Sequence, residues 1–376
     1  MPKELKSELR EEFIRKLEAE NLTTFFVATH PKYSTSVFRF TKEPTHVAVP
    51  YVWKYGLAKE RLLELGEILP PEEAERRNIN FVNPGLKQYF PSISAATLPT
   101  LRGGIQMLKP GERAYTHRHT ANAFRFVLEA PAEGAFTIVE GFKLPMRPGD
   151  VILTPNWTWH DHHNEGNRPV IWFDGLDVIT AYWLGAVFYQ DFSDVNVDKY
   201  QKINYTNEEV IAKYLAMKPT FESPPSHLPS SNNPLFYYPY SSVRNSLIKL
   251  AEKGKGDPYY GIELEYINPT NGSSAFPTMS LKIRLIKGKE ELKPIRRTEN
   301  RIFVVFEGTA RFEIEGQKYS VEPFDIIAIP SWRKYSIENT GNDNLIIFSY
   351  SDEPLFKAVG VMREKKKNNF FTLIYF

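Results

Sequence analysis

The stretch His117-Arg-His-Thr-Ala-Asn-Ala-Phe-Arg-Phe-Val-Leu-Glu129, followed by Pro148-Gly-Asp-Val-Ile-Leu-Thr-Pro-Asn-Trp-Thr-Trp-His-Asp-His162, decides the fold. Each part is a short strand-like run bounded by turn signals, such as Pro148-Gly149 and Pro155-Asn156. Residues two apart on a strand share a face, so His117 and His119 project to the same side. His160 follows after another strand and turn. Three imidazoles carried by neighbouring strands can converge inside a barrel. Neutral imidazole suits Fe, Zn, Cu or Ni, and with no Cys and open positions for substrate, Fe(II) or Mn(II) is the reasonable choice. A lone His-x-His pair is more often an ordinary surface pair. The placement of His160 in the same patterned block turns the reading toward a metal site.

The same rhythm extends in both directions. From about Thr100 to Asp177, strand-like runs alternate with turns at Gly103-Gly104, Pro110-Gly111, Glu140-Gly141, Pro148-Gly149 and Asn164–Asn167. This is the pattern of an antiparallel sandwich or barrel. It returns at Met279, with strands expected at Leu281–Ile286, Ile302–Phe306, Ala310–Ile314, Gln317–Val321, Ile326–Ile329, Tyr335–Glu338 and Asn344–Tyr350. Phe126-Val-Leu-Glu129 matches Val304-Val-Phe-Glu307, and Gly149-Asp-Val-Ile-Leu-Thr-Pro-Asn-Trp157 matches Phe324-Asp-Ile-Ile-Ala-Ile-Pro-Ser-Trp332. A β domain is thus duplicated at a spacing of about 180 residues. Helices are expected where Leu5, Leu9, Phe13 and Leu17 recur, over Ala58–Leu69, over Asn207–Met217 and over Tyr240–Gly254. Thr23–Val27 and Ser36–Phe40 read as short strands. The expected organisation is a helical and extended arm (1–90), a metal-bearing β domain (91–180), a connecting segment with helices (181–278) and a second β domain (279–376).

Composition sets the outer bounds. The chain has 376 residues, 42 % of them apolar and 14 % aromatic, enough for a sizeable core. A net charge of +2 argues against nucleic-acid or membrane partners. The absence of Cys excludes disulfides, Cys-ligated metals and a Cys nucleophile. The charged segment Met1–Glu20 lacks the apolar stretch of a secretory signal, and no apolar run is long enough to span a membrane, so a cytoplasmic protein is expected.

Two motifs resemble those of the cupin superfamily. The first is Gly111, five residues, then His117-Arg-His119; the second is Gly149, five residues, Pro155-Asn-Trp157, two residues, His160, three residues, Asn164. Cupins usually add a glutamate after the His pair; here Ala123-Phe-Arg-Phe126 stands in that place. With this departure, residues 83–178 closely resemble the gentisate 1,2-dioxygenase family, which includes salicylate and 1-hydroxy-2-naphthoate dioxygenases. The resemblance implies a mainly β bicupin of two antiparallel jelly-roll barrels with flanking helices. It implies Fe(II) held by His117, His119 and His160. The implied reaction takes a small aromatic carboxylate and O₂, and opens the ring between its hydroxyl- and carboxyl-bearing carbons. It also implies a homotetramer.

A three-histidine site leaves a metal its full charge and favours an anionic substrate that chelates through two oxygens. Arg125, on the strand after the ligands, is the candidate carboxylate clamp; the alternative is a solvated strand arginine. Gln106 matches a family position that contacts substrate, or is simply a strand residue. His162 shares a strand face with His160 and is a candidate acid/base near the phenol; His163 points away. Asp174 matches a family aspartate placed to orient His162 or the substrate hydroxyl, or is a turn residue before Gly175. Trp157 and Trp159 are expected to wall the pocket or pack the core. Arg76 or Arg77 is a candidate to reach the site. At Arg102 many family members carry Trp, a change that bears on which ring is accepted. In the second β domain Ile295-Arg-Arg297 and Tyr335 replace the ligands, so one metal per chain is expected. The alternatives are a non-redox cupin isomerase or decarboxylase, which would consume no O₂, and a non-catalytic ligand-binding bicupin.

Overall fold

The computed structural model describes residues 3–25, 27, 41–44, 47–70, 73, 77–87, 96–206, 232–254, 256–366 and 372–373. Residues 1–47 and 48–376 form two separate units. The first contains the helix Lys3–Ala19, where the four-residue leucine spacing placed it. In place of the strand expected over Thr23–Val27, Thr23 and Thr24 are irregular and Phe25 and Val27 are helical. The Val27 amide donates to the Thr24 carbonyl at 3.0 Å and approaches its hydroxyl at 3.3 Å, so a local side-chain bond outweighs the β-propensity of this stretch. Ser36–Phe40 and Asn207–Met217 lie outside the described residues.

The second unit holds both β domains. In the first, one six-stranded sheet runs in the order Tyr237–Tyr238, Val151–Thr154, Ala123–Glu129, Val170–Leu176, Arg102–Leu108, Asn78–Asn80. It faces another, ordered Tyr189–Asp191, Arg113–His119, His160–Asn164, Ala135–Val139, Phe142–Pro145, Tyr205–Thr206. Leu108, Val127, Ile152, Val170 and Trp172 from the one pack against Ala135, Val139 and Leu144 from the other. In the second, a six-stranded sheet ordered Tyr51–Trp53, Ile326–Ile329, Arg301–Glu307, Leu345–Ser351, Ser280–Ile286, Ile262–Tyr266 faces the three strands Gln317–Val321, Ala310–Ile314 and Tyr335–Asn339. Pairing in these sheets is antiparallel except at Tyr205–Thr206, which runs parallel to Phe142 and Lys143. The second unit is a pair of antiparallel barrels, as the turn spacing indicated.

Alternation explains how the barrels join. In Ala123–Glu129, Arg125 and Val127 point inward, while Phe124 and Phe126 point out toward the other barrel. Phe126 stacks on Phe348 with ring centroids 4.3 Å apart, and Phe124 meets Tyr350 edge-on at 4.9 Å. Gly175 permits this approach, since a Cβ there would lie 2.2 Å from the Phe124 ring. Both faces of the central strands are therefore buried, which is why they read as near-continuous apolar runs.

The duplication reaches beyond the barrels. Tyr51–Trp53, the helix Tyr55–Ile68 and Asn78–Asn80 precede the first barrel; Tyr237–Tyr238, the helix Tyr240–Lys253 and Ile262–Tyr266 precede the second. In each set the second strand joins its own barrel and the first crosses to the other: Tyr51–Trp53 pairs with Ile326, Ile327 and Ala328 of the second barrel, and Tyr237–Tyr238 with Val151 and Ile152 of the first. Matching side-chain bonds secure the exchange. Tyr55 N donates to Asp325 at 2.9 Å and Tyr240 N to Asp150 at 2.8 Å. Tyr55 Oη donates to Glu129 at 2.7 Å and Tyr240 Oη to Glu307 at 2.5 Å. Thr100 donates to Asp352 of the second barrel, and Thr278 to Asp177 of the first. Among the described residues no helix is long and apolar enough to cross a membrane.

Candidate active site

The ligand strand Arg113–His119 pairs with His160–Asn164, placing His117 directly opposite His160. One ring nitrogen from each of His117, His119 and His160 lies within 4.8 Å of the others. Which nitrogen is set by the backbone. Nδ1 of His117 bonds the Tyr115 carbonyl at 3.0 Å, Nδ1 of His119 that of Ala121 at 2.9 Å, and Nδ1 of His160 that of Thr158 at 2.9 Å. A carbonyl only accepts, so each Nδ1 carries the proton and each Nε2 keeps its lone pair. Such outer bonds orient imidazole ligands and raise their basicity. The three Nε2 atoms are buried. This donor set fits a metal of the imidazole-binding class, with further coordination positions not taken up by these residues.

Two features outside the barrel hold the ligand strand. Arg118, between two ligands, points outward and lies over both Trp157 and Trp159, at 4.5 and 4.2 Å from the rings. Its Nε donates to Gln190 at 2.9 Å. The two tryptophans thus grip the ligand strand from outside rather than wall the pocket or fill the core; Arg118, a cation of the right reach, draws them there. The edge strand Tyr189–Asp191 covers the same strand, and the Tyr189 ring stacks on His117 at 5.4 Å. Sequence reasoning missed both features; Tyr189-Gln-Asp191 is too short to read as a strand.

Deeper in the barrel lies a polar group. Arg125 is 1 % exposed, which excludes a solvated strand arginine. Its Nε donates to His162 Nε2 at 3.1 Å and its Nη1 to Thr154 at 2.6 Å. His162 Nδ1 lies 2.8 Å from the Thr137 hydroxyl. Because Nε2 accepts, Nδ1 carries the proton and donates to Thr137, so His162 is a neutral imidazole. Asp174 accepts the Trp172 indole N–H at 2.8 Å and lies 3.7 Å from Arg125 Nε. It therefore sits in the strand beside Arg125 and not in a turn, and its link to His162 runs through Arg125. Gln106, also 1 % exposed, stands opposite Trp172. Its Nε2 is buried without a hydrogen-bond partner among the described residues. Buried donors are rarely left so, and such a group takes an ordered water or a ligand as its partner.

Of the remaining candidates, His163 and Arg77 lie apart from this group. His163 faces away, bonded to Asp161 at 3.0 Å and stacked on Phe136. Arg77 is turned to Glu112 and the Gly66 carbonyl, and Arg76 lies outside the described residues. Arg102 lies on the Arg102–Leu108 strand with its Nε bonded to Asn80 at 2.7 Å. In the second barrel Ile295 faces Tyr335 as His117 faces His160, and no comparable histidine cluster occurs there among the described residues.

Comparison with known proteins gives a consistent picture. The family model described as "Cupin domain" matches twice, at residues 104–179 and 282–350. A gentisate 1,2-dioxygenase of Aquipseudomonas alcaligenes is 33 % identical, covering 95 % of this chain and 96 % of its own. A 1-hydroxy-2-naphthoate 1,2-dioxygenase of Nocardioides sp. is 33 % identical over 86 % of this chain and 80 % of its own. Among solved structures, salicylate 1,2-dioxygenase of Pseudoaminobacter salicylatoxidans, described as an adduct with gentisate, superimposes with a TM-score of 0.80 at 28 % identity, covering 96 % of this chain and 94 % of that one.

Proposed function

Since the chain belongs to the gentisate 1,2-dioxygenase family of ring-cleaving bicupins, we propose that it uses O₂ to open a ring bearing adjacent hydroxyl and carboxylate groups, at Fe(II) held by His117, His119 and His160. Gentisate, salicylate and 1-hydroxy-2-naphthoate are the substrate candidates, because they occur in the names of its relatives and structural neighbours. The observation that carries the proposal is the coexistence of the three-histidine cluster with the buried, partnerless amide of Gln106 in one barrel.

When bound, Fe(II) supplies a Lewis-acidic and redox-active centre where the chelating substrate and dioxygen meet. The protein's own groups do the positioning. The guanidinium of Arg125, held in plane by Thr154 and His162, offers a fork to the substrate carboxylate. Gln106 Nε2 donates to a substrate oxygen and thereby gains the bond it lacks. As Arg125 engages the carboxylate, His162 Nε2 becomes the acceptor for the phenolic proton, with Thr137 fixing the ring. Asp174 balances Arg125 and keeps it oriented. Closed by core side chains at the other end, the barrel keeps bulk water from these contacts. We further infer a cytoplasmic homotetramer, an assembly that sedimentation would measure.

The test is oxygen uptake by Fe(II)-loaded protein given each of the three rings, with near-ultraviolet absorbance followed alongside. Stoichiometric uptake with a new ring-opened chromophore is expected. No uptake from protein carrying one iron per chain would overturn the proposal in favour of a non-redox cupin enzyme.

A further inference from the structure

Arg102 opens the strand Arg102–Leu108. Alternation puts Arg102, Gly104, Gln106 and Leu108 on one face. Leu108 belongs to the core between the two sheets of the first barrel, so this face looks inward. Gly104 stands opposite Asp174, and Asp174 opposite Arg125 on the next strand. Arg102 therefore lies along the same inner wall as Gln106, close to the Arg125–Asp174 pair.

The two arginines differ in how their charge is met. Arg125 has Asp174 at 3.7 Å. Arg102 forms no ion pair among the described residues; its side-chain bond goes to a neutral amide, Asn80 Oδ1, at 2.7 Å. Gly104 makes that bond possible, because a Cβ there would come within 3.1 Å of Asn80 Oδ1 and 2.9 Å of the Ile79 carbonyl. Arg102 is half-buried. Burial lowers its pKa, opposed by Asp174 and Tyr350. A guanidinium keeps its proton even so. A deep cation that shares its nearest carboxylate, Asp174, with Arg125 is costly unless a ligand supplies a further anion.

We propose that Arg102, oriented by Asn80 across Gly104, recognises a second anionic group on the ring and so directs the enzyme to hydroxylated aromatic acids carrying one further anionic substituent. This assignment rests on the ring-cleaving reading above and narrows its substrate class. A singly charged acid such as salicylate engages Arg125 alone; a ring with an additional carboxylate or sulfonate engages both arginines.

The test is anaerobic calorimetry on the Fe(II) holoenzyme, using salicylates with a carboxylate at ring position 3, 4, 5 or 6, each beside its uncharged carboxamide. At one position or more the carboxylate binds about tenfold tighter or better than its carboxamide, the scale of a charge-assisted bond. R102M abolishes that preference while iron content and salicylate affinity stay near those of the parent, and R102K retains part of it. Equal or weaker binding of all the carboxylates, or a preference that survives in R102M, overturns the role of Arg102 while leaving ring cleavage of gentisate or salicylate intact. If gentisate, salicylate and 1-hydroxy-2-naphthoate are neither bound nor opened, the ring-cleaving reading fails, and this one with it.

Discussion

Where the first barrel has His117, His119 and His160, the second has Ile295, Arg297 and Tyr335. The backbone around these positions is retained. Trp157 N donates to the His119 carbonyl at 2.9 Å, and Trp332 N to that of Arg297 at 2.6 Å. Both tryptophans adopt positive φ, 63° and 60°. The contents of the two barrels differ. In the first, buried histidines, amides and threonines outnumber buried charged side chains. In the second, Arg297 meets Glu299 at 3.0 Å and Glu353 at 3.1 Å, Arg301 meets the same two at 3.0 and 3.3 Å, and Lys282 meets Glu353 at 2.8 Å. Each of these buried cations has its carboxylates within the protein. One duplicated frame thus gives a barrel with a histidine cluster and another whose buried cations are met by carboxylates of their own.

The largest effect is expected from removing a ligand. His119→Ala loses bound metal and activity together, activity falling by about a thousandfold or more; metal content and oxygen uptake measure it. A fully active variant would erase the distinction between the barrels. The converse change strikes the filled barrel. Burial pushes the Glu353 carboxyl up, but Arg297, Lys282 and Arg301 more than offset this and hold it well below the usual carboxylate range. Glu353→Gln leaves those cations short of charge and costs about 3–5 kcal/mol in urea denaturation. The folded variant still binds metal, because the ligands lie in the other barrel.

Arg125→Ala separates holding a metal from holding a substrate. It retains the metal, while kcat/KM for carboxylated rings falls by about a hundredfold. Loss of metal in this variant would make Arg125 structural. The smallest effect contrasts two equivalent aspartates. Asp325 has Lys54 at 2.6 Å; the Asp150 carboxyl, pushed up by burial from 3.8 to about 6, is eased by bonds from Tyr240 and Tyr237. A raised folded pKa means the native state takes up a proton between those values. The resulting stabilisation is whole below about pH 4 and lost as pH rises through about 6. Asp150→Asn should flatten that slope by about 2 kcal/mol between denaturation curves at pH 4.5 and 7.

Legibility followed the range of the interaction. Strands such as Ala310–Ile314, Gln317–Val321 and Ile326–Ile329 end where their turn residues predict, since alternation and turns are local signals. The histidine trio was readable because His117 and His119 alternate and His160 closes the next hairpin. Tyr51–Trp53 was read within an arm, because its partner strand lies far along the chain; neighbouring Tyr55 and Asp325 are 270 residues apart. The grip of Trp157 and Trp159 on Arg118 was hidden for another reason. Tryptophan next to a site suggests a wall, and only the outward rotation of Arg118 shows otherwise. The pairing of Arg102 with Asn80 likewise depends on which strands become neighbours.

The crossed strands also constrain synthesis and truncation. On the ribosome the first barrel's sheet stays incomplete until Tyr237 and Tyr238 emerge, and Tyr51–Trp53 waits until the strand Ile326–Ile329 has been made. Such long waits slow folding and leave sheet edges open meanwhile. The metal-bearing half cannot be cut out as a minimal enzyme, since a chain ending at residue 206 would leave Val151–Thr154 as an uncovered edge. The segment that joins the two barrels is thus a structural part of the first, since Tyr237–Tyr238 closes its sheet edge.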